Sequence, residues 1–356
     1  MIEEKENRMG VMPVGKLLFS MSTPMVISFL VQSLYNIVDS IFVARYSPDA
    51  LAAVSLAYPI QILMIAVSVG TGVGVNALLS RLLGEGKKDR AKVTADNAVL
   101  LAIIASIAFA IFGAIGTKAF FDAQTNSESI RSLGYSYLSI VSIFSFGLIL
   151  EVTYERILQS TGKTIYNMIT QGIGAIINII LDPILIFGLL RAPKMGVAGA
   201  AIATVAGQIV AMILSFVFNM KYNEEVDITF GKHIFKPDFI IIKDIYKVGI
   251  PSIAMQSMST LMMLGLNKIL VRYSDMAVNV LGIYYKLQSF VFMPIFGLNN
   301  GMTPIVAYNY GARNKDRIMK VLFVFIILSN NGDRNRNILG IPKRAYDTFQ
   351  SERGNA

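Results

Sequence analysis

The chain contains eight long apolar stretches, separated by short segments rich in charged residues, glycine, proline or asparagine. A helix needs about 20 residues to cross the ~30 Å hydrocarbon layer of a bilayer, and every stretch reaches that length. The stretches lack the alternation of polar and apolar residues found in barrel strands, and backbone amides in lipid must be satisfied within a helix. The sequence therefore predicts an all-α integral membrane protein. The predicted helices cover residues 15–46, 50–83, 94–119, 130–158, 163–190, 196–221, 240–273 and 277–311.

A ninth apolar stretch begins near Ile318 and loses its apolar character after Leu328. The residues that follow include Asp333, Arg334 and Lys343, each of which is costly in hydrocarbon. We therefore expect 329–356 to be a polar, non-helical tail outside the membrane. The abrupt change within a helix is typical of a frameshifted end, and a chain that stops early would not transport.

The composition excludes several other classes of protein. Apolar residues make up 54% of the chain and charged residues only 15%, which is too much hydrocarbon for a soluble core to hide. There is no cysteine and a single histidine, His233, so thiolate metal sites and catalysis by cysteine or paired histidines are excluded. No resident cofactor is predicted. The net charge of +9 comes from basic residues between the apolar runs, which favours topology signals over nucleic-acid binding.

The distribution of Lys and Arg predicts the orientation in the membrane. If the N-terminus is cytoplasmic, the inner segments carry nineteen Lys and Arg residues and the outer segments carry six. Cytoplasmic loops carry the excess of basic residues in membrane proteins. We expect a multi-pass protein of the plasma membrane, or bacterial inner membrane, with a cytoplasmic N-terminus. Its partners would be the lipid bilayer and small molecules, and we expect a monomer.

The sequence also contains an internal repeat. A shift of 227 residues, without a gap, aligns Pro24 with Pro251, and it aligns three glycines of the first copy, at 70, 74 and 84, with three of the second, at 297, 301 and 311. The same shift aligns the basic loops 88–90 and 315–317. Six predicted helices separate the copies, so both have the same orientation in the membrane. Parallel repeats of this kind are typical of secondary transporters.

Four segments together resemble the multidrug and toxic compound extrusion (MATE) family. They are the P-x(14)-D-S-I-F-V-A-R-Y run from Pro24 to Tyr46, and the segments LLSRLLGEGKKDRA, YERILQSTGKT and NIILDPILIFGLL. The resemblance covers about residues 13–328 and implies a bundle of twelve helices in two six-helix lobes. Residues 1–221 would form a complete N-terminal lobe, 222–328 a partial second lobe, and 329–356 the tail. Eight or nine of the twelve expected membrane helices would then be present.

The ionisable residues at membrane depth are the candidates for function. Asp39 lies within an apolar segment, where an isolated carboxylate costs at least ~2.5 kcal/mol. Asn178 and Asp182 are four residues apart, and therefore share one face of a helix. Pro183 follows and removes a backbone hydrogen bond, which frees a carbonyl oxygen nearby. Carboxylate, amide and hydroxyl oxygens suit Na⁺ or a shared proton.

The resemblance implies specific roles for these residues. Asp39, Asn178, Asp182 and Thr204 fall on the positions that form the cation or proton site of the N-terminal lobe, which would hold Na⁺ in a sodium-coupled transporter. Gln32, Tyr35 and Gln288 are candidates to line the substrate cavity. We predict no catalytic residue.

Some of these signals have purely structural interpretations. Buried Asp and Asn also serve as interhelical hydrogen-bond partners without a role in transport. The segment 70–74, GTGVG, imitates a phosphate loop, but it lies inside an apolar helix and is better interpreted as a helix packing face. Lys268 and Lys286 interrupt apolar stretches, and we expect them to extend toward the membrane surface.

The sequence thus predicts a secondary antiporter that exports cationic or amphiphilic compounds in exchange for H⁺ or Na⁺, and not an enzyme. Two alternatives stay open. One is a truncated, non-transporting product of such a gene. The other is a lipid-linked oligosaccharide flippase of the same superfamily, which would need several Arg or Lys in its cavity for pyrophosphate. A membrane enzyme would need clustered Asp or His/Glu motifs, and the sequence contains none.

Overall fold

A computed structural model describes residues 7–226, 236–270 and 275–329. The side chains of Lys268, Lys286 and Gln288, and the predicted tail from residue 330 onward, lie outside this description. Within the described ranges the protein is helical and contains no strand. The α-helices are α1 (Arg8–Val11), α2 (Val14–Tyr46), α3 (Pro48–Gly84), α4 (Lys88–Ile111), α5 (Thr117–Gln124), α6 (Glu128–Ile143), α7 (Phe146–Ser160), α8 (Thr164–Phe187), α9 (Val197–Tyr222), α10 (Phe239–Leu270), α11 (Asp275–Gly311) and α12 (Lys315–Ser329).

The all-α fold is confirmed, and the predicted helices overlap the observed ones, although the helix predicted at 130–158 is observed as two. A π-helical turn, Phe112–Gly116, joins α4 to α5 and makes one span of Lys88–Gln124. In the described residues, five helices are long and apolar enough to cross a membrane, or six if the bent pair α6–α7 forms one span. The larger count of eight or nine spans, and the division at residues 221 and 328, stay predictions.

Local sequence sets where the helices begin and end. The Ser47 hydroxyl oxygen accepts a 3.0 Å hydrogen bond from the amide of Ala50, and Pro48 occupies the first turn, so α3 follows α2 almost directly. Gly188 ends α8 with a φ of 77°, a conformation that favours glycine. These caps keep the connections between spans short on one side of the protein.

The helix predicted at 130–158 folds instead as two helices, α6 and α7, which bend by 41° at Phe144 and Ser145. Neither residue at the break is a proline or a glycine, so the sequence does not indicate a bend. Tertiary contacts explain it: the Ser145 hydroxyl donates to the carbonyl of Ser106 on α4 at 3.4 Å. Directly after the break, Gly147 packs so closely on α9 that an added β-carbon would lie 3.1 Å from the Ile209 side chain.

The glycines of the repeat make reciprocal contacts between the two copies. A β-carbon at Gly70 or Gly74 of α3 would clash with the backbone of Ile253 or Ile245 on α10. In the second copy, a β-carbon at Gly297 or Gly301 of α11 would clash with Val26 or Ser22 on α2.

Two pairs of close glycine contacts are related by the same shift of 227 residues. The contact of Gly70 with Ile253 corresponds to that of Gly297 with Val26, and the contact of Gly84 with Tyr308 corresponds to that of Gly311 with Arg81. The predicted packing role of these glycines is therefore confirmed. The two copies pack on each other around a pseudo-twofold axis, with α2 and α3 of one copy against α11 and α10 of the other.

Candidate functional site

The close approach of α8 and α9 creates the first part of the site. A β-carbon at Gly207 would lie 2.6 Å from the Gly174 carbonyl oxygen, so only glycine allows this approach. Asn178 lies one turn after Gly174, and Thr204 lies one turn before Gly207. The Asn178 amide therefore reaches across the interface and donates to the Thr204 hydroxyl oxygen at 3.3 Å and to Asp182 Oδ1 at 3.5 Å.

Asp39 of α2 completes this group. Its carboxyl group lies within hydrogen-bonding reach of the Asp182 carboxyl group. Asp182 is fully buried, and its Oδ2 has no hydrogen-bond donor in the described part of the chain, nor does Asp39 Oδ1. Since a buried carboxylate oxygen without a donor is unfavourable, the pair is suited to take up a proton or a cation between its oxygens.

Two further side chains lie close to this carboxylate pair. Tyr137 of α6 is buried near both Asp39 and Asp182, and its hydroxyl oxygen accepts a 2.9 Å hydrogen bond from Gln61 Nε2 on α3. Four helices besides α9 therefore contribute to or support the group. The sequence interpretation did not include Tyr137, because a tyrosine in an apolar run is usually a packing residue.

A cavity of about 70 Å³ lies between α2, α7, α8 and α9, next to Asn178. Gln32 and Tyr35 line it, and Asn178 and Thr204 form part of its wall. The other lining residues are Leu148, Glu151, Val152, Glu155, Gln171, Gly174, Ala175, Gly207 and Gln208. Two of the lining residues are acidic and none is basic.

The sequence analysis missed the two acidic residues, Glu151 and Glu155. They are 8% and 5% exposed and lie four residues apart on α7, so they share one helix face. The sequence analysis uses the segment YERILQSTGKT only for the family resemblance, and its candidates include neither carboxylate. The criterion that selected Asp39, an ionisable group at membrane depth, would have found them.

Glu155 is held by hydrogen bonds from α8, and the residue after it bonds to the second repeat. Its two carboxylate oxygens accept 2.8 Å hydrogen bonds from Thr170 Oγ1 and Gln171 Nε2. The adjacent Arg156, also buried, donates to Gln159 Oε1 at 2.8 Å and to Asn300 Oδ1 of α11 at 2.6 Å. Gln159 in turn donates to the Asn300 carbonyl oxygen at 2.5 Å. Helix α7 therefore lines the cavity and also contacts the second repeat.

The structure thus brings Asp39, Asn178, Asp182 and Thr204 together, and it places Gln32 and Tyr35 on the neighbouring cavity. Gln288 cannot be placed, since its side chain lies outside the described residues. The roles of these residues in binding stay predictions.

Known proteins with similar sequences are membrane transporters. Multidrug export protein MepA of Staphylococcus haemolyticus is 32% identical over 319 residues, which cover 88% of this chain and 68% of the relative. The FAD transporter of Shewanella oneidensis is 28% identical over 313 residues, which cover 88% of this chain and 69% of the relative.

Solved structures of transporters are also similar to this chain. An outward-facing multidrug resistance MATE family transporter of the MOP superfamily has a TM-score of 0.83 at 27% identity, and the match covers 91% of this chain and 71% of that one. A MOP superfamily transporter from Pyrococcus furiosus has a TM-score of 0.81 at 26% identity, with the same coverage.

The MatE family model matches residues 24–184 and 251–330, which is more than half of the chain and includes both repeats. These ranges contain Asp39, Asn178 and Asp182 as well as the reciprocal glycines. Together with the all-α fold, the match shows that this chain belongs to the MatE family, the multidrug and toxic compound extrusion family of membrane transporters, and is not an enzyme.

Proposed function

We propose that this protein is a secondary antiporter, which exports organic cations or cationic amphiphiles in exchange for Na⁺ or H⁺. The observation that carries this proposal is the carboxylate pair of Asp39 and Asp182, buried beside Asn178 and Thr204. Two carboxylates that share a site with little water cannot both be charged at low cost, so the pair favours one bound proton or one bound Na⁺. Oxygen ligands of these types suit Na⁺ as well as a shared proton.

The acidic cavity favours a cationic cargo. One relative is named as a multidrug exporter and another as an FAD transporter. An anion such as FAD would face Glu151 and Glu155 without a basic partner among the lining residues, whereas a cation would be attracted. The same argument disfavours a flippase for lipid-linked pyrophosphate.

Helix α2 connects the ion site to the contact between the repeats. It carries Asp39 near its C-terminal end, and through Ser22 and Val26, next to Pro24, it packs on Gly301 and Gly297 of α11. A proline within a helix removes one backbone hydrogen bond and makes a bend less costly. Ion binding at Asp39 that changes the bend at Pro24 would loosen or tighten this contact. The ion and the substrate would then favour different conformations, and this difference couples their movements.

The remaining features of the proposal follow the sequence predictions. The protein would act as a monomer in the plasma membrane, or bacterial inner membrane, with its N-terminus in the cytoplasm and without a cofactor. The coupling ion is a transported species, held by Asp39, Asn178, Asp182 and Thr204.

Reconstituted protein tests this function. The purified protein is reconstituted into liposomes that are loaded with a fluorescent cationic dye. Dye movement across the liposome membrane is followed after a Na⁺ gradient or a pH gradient is imposed. The proposal requires that one of the two gradients drives dye movement in the wild type, and that neither does so in Asp39→Asn or Asp182→Asn. A wild type that moves no dye under either gradient would favour the truncated, non-transporting product instead. Asp122→Asn, at an exposed aspartate far from the cavity, is the matched control. Gradient-driven movement that both site variants retain at the wild-type rate would contradict the proposal.

A further inference from the structure

The cavity contains two carboxylates in different environments. Both oxygens of Glu155 are occupied by hydrogen bonds from Thr170 and Gln171, and the positive Arg156 is its neighbour. Glu151 is 92% buried and lines the cavity, yet it accepts no hydrogen bond from the part of the chain that the structure describes. Glu155 is therefore fixed and charge-compensated, and Glu151 is the carboxylate that lacks a partner.

Two amide oxygens on the same cavity also lack donors. Gln171 must direct its NH₂ group at the Glu155 carboxylate, because an amide oxygen there would repel it. Its Oε1 is buried without a hydrogen bond within the described residues. Asn178 likewise uses its NH₂ group for Asp182 and Thr204, which leaves its Oδ1 buried and without a donor. Asn178 is 97% buried and lines the cavity.

These three acceptors define the chemistry of a ligand. Glu151, Gln171 and Asn178 each offer an acceptor oxygen without a donor, so the ligand must supply hydrogen-bond donors. With both carboxylates ionised, Glu151, Glu155 and Arg156 carry one net negative charge, which a ligand with one positive charge would neutralise. A protonated primary amine has a single charge and three N–H donors, which matches both requirements.

We propose that Glu151, Gln171 and Asn178 form a cation subsite, separate from the Asp39–Asp182 pair, which binds the protonated amine of the transported compound. This inference rests on the proposed function. It assigns binding of the charged group of the substrate to α7, and binding of the coupling ion to α2 and α8. Asn178 belongs to both sites: its NH₂ group contacts Asp182, and the residue lines the cavity with its Oδ1 buried and without a donor among the described residues. Ion binding that rotates this amide would withdraw an acceptor from the amine, so the two cations would compete.

Binding of a fluorescent primary amine to the purified protein tests the subsite. The probe is dansylcadaverine, followed by fluorescence anisotropy. Its N-acetylated form has no charge, and its trimethylammonium form keeps the charge but has no N–H donor. We expect the wild type to bind the primary amine most tightly and the neutral form most weakly, because only the primary amine satisfies both the charge and the acceptors.

The variant Glu151→Gln should raise the Kd for the primary amine by about tenfold or more, because a hydrogen bond to a charged group is lost. Gln171→Leu removes one acceptor, and with it the donor to Glu155, but no charge. It should weaken binding of the primary amine by a few-fold more than binding of the trimethylammonium form, since loss of the donor to Glu155 affects both probes. Glu128→Gln is the matched control, since Glu128 is exposed and far from the cavity. If Glu151→Gln does not fold, the Gln171→Leu comparison decides the proposal alone.

Equal Kd values for the wild type and Glu151→Gln, or equal binding of the charged and neutral probes, would overturn the subsite. The ion site is tested separately in Asp39→Asn, which should still bind the amine but should no longer release it on addition of Na⁺ or acid. Release that persists in Asp39→Asn would contradict the proposed ion site and leave the amine subsite intact. Normal amine binding by Glu151→Gln, with release lost in Asp39→Asn, would contradict the subsite alone.

Discussion

Asp39 on α2 and Asp182 on α8 place their carboxyl groups within hydrogen-bonding reach of each other, 143 positions apart in the sequence. If the two groups act as one site, the loss of either destroys it. We expect Asp39→Asn and Asp182→Asn each to weaken cation binding by about tenfold or more. The double variant should be no worse than either single variant, because residues in one site are not additive.

This prediction is tested by measuring the binding of radioactive Na⁺ and the uptake of protons by the purified protein. Thermal unfolding and gel filtration should show that each variant remains folded, since removal of a buried charge does not cost stability in itself. A double variant whose loss equals the product of the two single losses would mean that the carboxyl groups act independently.

The reciprocal glycine contacts predict paired effects of substitution. Gly74→Ala and Gly301→Ala should each destabilise the protein by about 1–3 kcal/mol, because the new methyl group clashes with Ile245 or Ser22 across the contact between the repeats. Gly172→Ala is the matched control. It lies in α8, and a β-carbon there meets nothing within 4 Å, so it should be neutral or slightly stabilising.

Thermal unfolding of the purified protein distinguishes these variants. Gly74→Ala and Gly301→Ala should both be less stable than Gly172→Ala, since both glycines pack closely against the other copy. If both were as stable as Gly172→Ala, the two copies would not pack through these glycines.

The predicted orientation can be tested with single cysteines, because the chain has none of its own. Asp89→Cys, at the exposed start of α4, should be protected in intact cells from a thiol reagent that cannot cross the membrane. Asn126→Cys, in the exposed loop between α5 and α6, should react. Both should react after the membrane is permeabilised, and the reversed pattern in intact cells would invert the topology.

The burial of Glu225, in the loop after α9, predicts that the stability of the protein depends on pH. Burial raises the pKa of Glu225, although Asn7 Nδ2 donates a 2.6 Å hydrogen bond to its Oε2. A pKa that is higher in the folded state means that folding favours the protonated form. The contribution of Glu225 to stability is therefore complete below its unfolded pKa, near 4.3, and is lost as the pH rises through the folded value.

Glu225→Gln should remove this pH dependence and keep an oxygen that accepts from Asn7. We expect its unfolding temperature relative to the wild type to increase between pH 4 and pH 8. Glu224→Gln, at the exposed neighbouring position, controls for the change in net charge. A constant difference between Glu225→Gln and the wild type over this range would contradict the expectation.

Much of the fold could be predicted because lipid permits few structures. Each apolar run of sufficient length has to be helical, so the helices were found where the sequence placed them. The gapless repeat indicated the packing glycines, because a residue that must lack a side chain is visible in the sequence. The bend between α6 and α7 could not be predicted, since it depends on contacts of Ser145 and Gly147 with other helices and not on a local helix breaker.

For the site, the sequence by itself determined that Asp39, Asn178 and Asp182 are polar groups in apolar helices, and therefore that they need partners. Only the tertiary structure decided which partners they have. Gly174 and Gly207 allow α8 and α9 to come close enough for Asn178 to reach Thr204. Helix α7 places Glu151 and Glu155 in the wall of the cavity that Asn178 also lines. The physical reason is that the cost of a buried charge is local, whereas its compensation comes from helices that are distant in the chain and become neighbours only when the bundle packs.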